Sequence, residues 1–375
     1  MKILHLNSYY IDNHLYAQLY TEIDVDIQQR VYIPIKINRE PENEVTLKQT
    51  ELIFEKIIKP IHKYNYFGKI QKIYKSICSK GLVTDIDFIH AHNLFTDGAL
   101  AYKLKKKYNI SYIVAVRTTD IELQYRLMWH RRSFIHRVLK NADRIVFISN
   151  MYRDKLFAMM PKSLVAELLL KVLVIPNGID DMWLNQLQKP AAIPLDYTVK
   201  LLYVGQIIER KNILLLIEAV QRLNAAGEYD YTLTIIGPEG KSEPDYFKGF
   251  VDLIQSFPWV DYKGKINAGE FLKQAYRACD IFVMPSKYEL FGLVYIEALS
   301  QGKPVLYSKG EGIDGFLKNY EAGRAVDPDN VEAIASGITY IVKNYENYTD
   351  FDALMLPFNW KNIAAVYKKL YVRHE

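Results

Sequence analysis

Short runs of β-branched and aliphatic residues alternate with helix-length segments along almost the whole chain, and this limits the fold more than any other feature. In the first half, residues 2–6, 31–35, 88–90, 112–116, 144–148 and 172–175 read as strands. In the second, 200–204, 231–236, 260–262, 281–284 and 304–306 do. Ile145-Val-Phe-Ile148 and Ile281-Phe-Val-Met284 show no polar alternation, as expected for strands covered on both faces of a parallel sheet. The pattern predicts an α/β fold of doubly wound sheets. A chain of 375 residues is too long for one ordinary core and suits two domains. The boundary is expected in 181–197, which holds Pro190 and Pro194 and follows the turn Ile175-Pro-Asn-Gly-Ile-Asp180. Ligands of such sheets sit beyond the carboxyl ends of the strands. The chemistry is therefore sought in the loops that follow strands.

Composition excludes several classes. The apolar stretch 164–175 is broken by Glu167 and Lys171 and is too short to span a bilayer. Met1-Lys-Ile-Leu-His-Leu6 reads as a strand, not a signal peptide. Cys78 and Cys279 lack metal-ligand spacing and fit free thiols in a reducing, cytoplasmic setting. The net charge of +5 is uneven: residues 1–180 carry 27 Lys+Arg against 18 Asp+Glu, and the remainder 21 against 25. An anionic partner is thus expected for the first half. Residues 48–80 hold eight lysines and two glutamates among Ile, Phe and Tyr. Read as basic helices, they suit an anionic membrane surface; alternatively their apolar residues pack on the first domain and the lysines are solvated. No nucleic-acid module is visible.

Within the loops, Met284-Pro-Ser-Lys-Tyr-Glu289-Leu-Phe-Gly292-Leu-Val-Tyr-Ile-Glu297 stands out. A strand ends, a loop presents Glu289, and a helix begins near Phe291-Gly292 with Glu297 in its second turn. Free amides at a helix start suit a diphosphate, and a carboxylate further along can accept both hydroxyls of a ribose. Taken singly, both glutamates also fit ordinary helix-start and solvated positions. A second strand–turn–helix element, Val204-Gly205-Gln206-Ile-Ile-Glu-Arg210-Lys211-Asn212, offers cations for a departing diphosphate. In the first half, His90-Ala-His92-Asn93 and Arg117-Thr-Thr-Asp120 end strands. His92 reads either as a cleft residue or as a packed one, and Asp120 either as an acceptor contact or as a helix cap.

The segment Glu289–Glu297 resembles the Glu-x7-Glu motif of the retaining family-4 glycosyltransferases, which have the GT-B fold of two Rossmann-like domains facing a central cleft. The resemblance is close at 289–302, 205–212 and 175–180 and weaker at 90–98 and 117–120. It implies transfer of a sugar from a nucleotide-sugar donor, UDP-sugar foremost, to a glycan or lipid-linked glycan acceptor in polysaccharide assembly. It implies that Glu289 faces the donor sugar, Glu297 holds the ribose, and the loop at Phe291, Gly292 and Leu293 binds phosphate. Lys211 matches the family lysine. Gly205-Gln206 stands where the family reads Gly-Arg, leaving Arg210 as the replacement cation. His92 is implied beside the reacting carbon, with His92, Glu289 and Lys211 as the catalytic set. Lys265 and Ile266 are implied beside the base. The first loop, 7–14, lacks the family's glycine pair, so Asn13 and His14, with Asp120, are the expected acceptor contacts. No cofactor or metal is expected. The expected domains are 1–180 for acceptor, 181–198 as linker, 199–356 for donor, and 357–375 as a helix returning to the first. The protein is expected in the cytoplasm, peripheral at the inner face of the plasma membrane if 48–80 binds lipid. Alternatives are a catalytically silent GT-B module that binds a transferase partner, and transfer to a protein acceptor.

Overall fold

A computed structural model describes residues 1–12, 15–190, 198–267, 269–289, 291–317 and 320–372. The chain divides into two units, Met1–Gly178 with Trp360–Glu375, and Ile179–Asn359. Each is a Rossmann-like domain built on one parallel sheet.

In the first unit the described strands are β1 Lys2–Leu6, β2 Gln28–Lys36, β3 Thr50–Ile58, β4 Phe88–Ala91, β5 Ser111–Val116, β6 Arg144–Phe147 and β7 Val172–Val174. Their order is β3-β2-β1-β4-β5-β6-β7, and all neighbours run parallel. Residues 50–58 correct the expectation of a basic helix: they form the edge strand β3. Only the later part of 48–80 is helical, as Tyr66–Ser79, and its apolar residues Tyr66, Ile70, Ile73 and Ile77 are buried. Those four residues lie along one helical stripe. The apolar face is thereby consumed by the domain itself.

The final helix, Trp360–Tyr371, completes this unit. Trp360, Ile363, Ala364, Tyr367 and Tyr371 share a core cluster with Ile3, Leu19, Ile23, Phe88, Ile113 and Val146. Its seat is tight, since a Cβ added at Gly178 would lie 2.6 Å from the Trp360 ring.

In the second unit the strands are β8 Val199–Val204, β9 Tyr231–Ile236, β10 Val260–Tyr262, β11 Ile281–Val283, β12 Val305–Ser308 and β13 Gly323–Val326. The order is β10-β9-β8-β11-β12-β13, again parallel among the described strands. The order reverses at β8/β11, where such sheets open a crevice for ligand. Part of the expected linker is built into this unit. Asp181–Leu184 is a short helix capped by Asp180, and Trp183 is buried with its ring 5.4 Å from that of Tyr276.

Because Trp360 is almost wholly enclosed, Trp360→Ala should destabilise the first unit by about 3–5 kcal/mol. Urea unfolding should read this as a lower midpoint.

Candidate active site

The strongest grouping lies at the carboxyl ends of β8, β11 and β12. Beyond β8, the amide of Gly205 still donates to Ile236 O at 2.9 Å. A 3-10 turn, Glu209–Lys211, then leads through Asn212 in the left-handed region (φ 61°) into the helix Ile213–Ala226. Asparagine tolerates that conformation better than most residues. Its side-chain amide donates to Pro285 O at 3.0 Å and Pro328 O at 2.6 Å. Arg210 O accepts from the Lys287 amide at 2.7 Å. The loops after β8 and β11 are thus pinned together at several points.

Between those pins, buried Lys211 pairs with buried Glu289. Burial lowers the Lys211 pKa, and the Glu289 carboxylate opposes that shift. The loop after β12 joins through Gly312 N, which donates to Glu289 O at 3.2 Å. Phe291 is buried against Phe316 and Phe358, with centroids 5.1 and 5.7 Å apart. Gly292 has φ +75°, and a Cβ there would meet the Tyr295 ring at 2.5 Å. Glycine is therefore required both by conformation and by space. Leu293 begins the helix Leu293–Ser300, whose first amides face away from any intrahelical acceptor. In its second turn, Glu297 accepts from Tyr276 Oη at 3.1 Å. Burial raises its pKa to about 7, and the tyrosine hydrogen bond opposes the shift.

The other expected donor-side residues lie further out. Gln206 and Arg210 are exposed, and Gln206 offers its carbonyl to Tyr203 Oη at 3.1 Å. Lys265 is exposed and Ile266 half-buried in the loop after β10. Among the described residues, no hydrogen bond or ion pair joins either to Lys211, Glu289 or Glu297. Neither Asn212 nor Tyr276 is among the residues that the sequence marks for a role. A non-glycine residue suited to the left-handed region before a helix was the available signal for Asn212. Tyr276 gave none.

In the first unit, His92 is fully buried instead of open at the end of its strand. His5 lies opposite His90 in the β1–β4 register, and the two-residue spacing puts His92 on the same face. His92 Nε2 is 3.0 Å from His5 Nδ1 and 3.1 Å from Tyr20 Oη. The His90 and His92 rings stack at 3.9 Å, and His90 Nδ1 meets Tyr371 Oη at 2.8 Å. Burial drives all three histidines below their ordinary pKa, His5 to about 3. They are neutral at physiological pH. Their nitrogens come within 4.8 Å of one another. The group contains no carboxylate, so a divalent cation there would be buried without charge compensation.

Asp120, expected at the acceptor, is likewise enclosed. Its carboxylate accepts from the amides of Leu94, Phe95 and Arg117 at 3.0, 3.3 and 2.9 Å. It clamps the loops after β4 and β5, and burial lifts its pKa to about 6 despite those bonds. Asn13 and His14 lie outside the described residues. The neighbouring glycine-free loop is held by Asp97, which accepts from Ser8 N at 3.2 and 3.1 Å, and by Asn93, which donates to Ser8 Oγ at 2.7 Å. Asp97 is fully buried, and burial raises its pKa to about 8.

Residues 188–353 match the family described as glycosyl transferases group 1, and residues 37–182 match glycosyltransferase family 4. Each unit thus matches a glycosyltransferase family model over most of its length, and the fold is GT-B. An uncharacterized glycosyltransferase of Methanocaldococcus jannaschii is 26% identical over 75% of this chain and 74% of its own. An O-antigen chain mannosyltransferase B of Escherichia coli is 36% identical over 36% of this chain and 35% of its own. The fold matches Anabaena HepE, solved in complex with UDP, at a TM-score of 0.71 and 16% identity, covering 99% of both chains. No described helix of this GT-B chain is long and apolar enough to cross a membrane.

Glu289→Ala leaves the buried Lys211 ammonium unpaired and should cost on the order of 3 kcal/mol in urea unfolding, whereas Lys211→Met/Glu289→Leu should recover most of that loss. Glu297 gives a pH signature. Its folded carboxyl keeps a proton up to about 7, against the ordinary glutamate value of 4.5. The folded state therefore binds more protons between those values. The associated stability is present at acid pH and is lost as pH rises through about 7. Glu297→Gln should thus be more stable than the parent at pH ~8 by about 1–2 kcal/mol, with the gap closing towards pH ~5. Paired denaturation curves at the two pH values check it.

Proposed function

We propose that the protein is a retaining, metal-independent glycosyltransferase that moves a sugar from a nucleotide-sugar donor, a UDP-sugar foremost, to a glycan or lipid-linked glycan acceptor in cell-surface polysaccharide synthesis. The observation that carries this reading is the buried Lys211–Glu289 pair at the carboxyl ends of β8 and β11, with Glu297 in the helix that follows. Lys211 and the amides at Leu293 and Val294 stabilise charge growing on the nucleoside diphosphate as the glycosidic C–O bond breaks. Arg210 adds a cation nearby. The acceptor hydroxyl attacks the anomeric carbon from the face the diphosphate leaves, and its proton passes to the departing phosphate oxygen. Configuration is retained without an enzyme nucleophile.

In this reading Glu289 orients the donor sugar, Glu297 accepts the ribose hydroxyls, and the loop with Lys265 and Ile266 borders the base. Asp120, His92 and Asp97 set the shape of the acceptor-side loops. A neutral, enclosed His92 imidazole fits that role better than proton transfer. The E. coli relative is named an O-antigen chain mannosyltransferase, which supports a glycan acceptor, and HepE is described with UDP, which supports a UDP-sugar donor. The place of work is the cytoplasm, at the inner membrane face for a lipid-linked acceptor.

A thermal-shift panel of UDP, GDP and ADP tests the donor side, because a ligand of the native state raises the melting temperature with concentration. UDP should give the largest shift. Glu297→Ala should weaken its binding roughly 10-fold or more, as two charge-assisted hydrogen bonds are lost. EDTA should leave transfer from the matching UDP-sugar unchanged. The donor-site assignment falls if no nucleotide stabilises the protein.

A further inference from the structure

A cavity rimmed by lysines lies in the first unit, at the carboxyl ends of β2 and β3. It has a volume of about 460 Å³ and is lined by Lys36, Asn38, Lys59, His62, Lys63 and Lys69, among others. Several independent features build it. The β2–β3 register shifts between Ile35 and Lys36, and an irregularity of this kind turns a side chain out of the regular ladder. The 3-10 turn Pro60–Lys63 supplies Lys63 and His62. The Lys59 amide donates to His62 Nδ1 at 3.0 Å, so the imidazole proton sits on Nε2 as a further donor. From the helix Tyr66–Ser79, half-buried Lys69 donates to Thr96 Oγ1 at 2.9 Å. That bond ties the cavity to the loop that carries His92 and Asn93.

The charge balance is one-sided. No carboxylate lines the cavity, and none of Lys36, Lys59, Lys63 and Lys69 is in an ion pair among the described residues. Glu40 is paired with Lys56 and Glu55 with Lys80, while the buried carboxylates of Asp97 and Asp120 act on Lys69 from behind the cavity wall. Burial, and then the ammonium groups of Lys72, Lys69 and Lys59, hold His62 below its ordinary pKa. Four ammonium groups around one hollow repel one another, which disfavours the compact state unless an anion is bound. The turn exposes Ile61 (60%), Tyr64 just after it is exposed (78%), and so is Phe67 in the first turn of the following helix (53%), apolar surface close in sequence to the cations.

We propose that this cavity is an anion site that binds the phosphate or diphosphate group of an ester, carried either by the acceptor substrate or by a membrane lipid. A terminal phosphate or a diphosphate brings close to two negative charges or more to several lysines at once, which a single carboxylate does not. The position at the carboxyl ends of β2 and β3 lies on the side of the sheet where ligands of these folds bind. The apolar surface suits an ester whose other end is hydrocarbon. Identification of the anion as part of the acceptor rests on the glycosyltransferase reading; the anion site itself does not.

The test compares the full-length protein with Lys36→Gln/Lys59→Gln/Lys63→Gln, which leaves Lys69 and its bond to Thr96 in place. Inorganic pyrophosphate is titrated by calorimetry at low salt, and flotation is run with phosphatidylcholine vesicles with and without phosphatidic acid. The parent should bind pyrophosphate, and the variant should bind it about 10-fold more weakly, with the difference shrinking as salt is raised. The variant should melt no lower than the parent at low salt, since repulsion has been relieved. Flotation that needs phosphatidic acid and is lost in the variant assigns the lipid source. Pyrophosphate binding without flotation assigns a soluble phosphorylated ligand. Equal pyrophosphate affinity and equal flotation in parent and variant overturn the site. A UDP-induced thermal shift, read in the same samples, reports separately on the donor side.

Discussion

The buried Lys211–Glu289 pair is the constraint around which the second domain's functional face is arranged. Two opposite charges removed from water hold their value only if they are kept in register, and three loops keep them so. Asn212 fixes the loop after β8 to the backbone at Pro285 and Pro328. Arg210 O receives Lys287 N, and Glu289 O receives Gly312 N. The flanking helix can then start at a glycine in the left-handed region, with Phe291 packed beneath. A pre-set cation and carboxylate need little reorganisation when a charged ligand arrives.

The first domain uses buried polar groups differently. His5, His90, His92, Tyr20 and Tyr371 form one neutral network under the ends of β1 and β4. Asp97 and Asp120 spend their oxygens on the amides of neighbouring loops. The two carboxylates hold loops in place, whereas His5 Nε2, His90 Nε2 and His92 Nδ1 are buried without a hydrogen-bond partner among the described residues. Lysines gather at the ends of β2 and β3 around the proposed anion site.

Much of the fold was legible because parallel strands buried on both faces declare themselves as unbroken apolar runs, as in 145–148 and 281–284. Two strands escaped. Thr50–Ile58 is an edge strand, half-exposed at most positions, so its apolar pattern is diluted by Glu51, Glu55 and Lys56 and reads as part of a lysine-rich tract. Gly323–Val326 has only four residues and opens on a glycine, too little for a periodic signal. Of the candidate site, the loop–helix element at 284–297 and the turn at 204–212 could be located from strand ends, glycine and charge.

Local sequence thus determined which segments become strands and helices and which loops follow strand ends, because side-chain periodicity and glycine conformation act over a few residues. Only the tertiary structure decided which side chains meet. Lys211 and Glu289 are 78 residues apart, His5 and His92 are 87 apart, and Asp97 reaches back 89 residues to Ser8. It also decided which residues are withdrawn from solvent, and encloses both His92 and Asp120, whose local sequence left that open. Burial and pairing depend on how sheets and helices stack, and residues so distant along the chain carry no local trace of the partners that stacking brings to them.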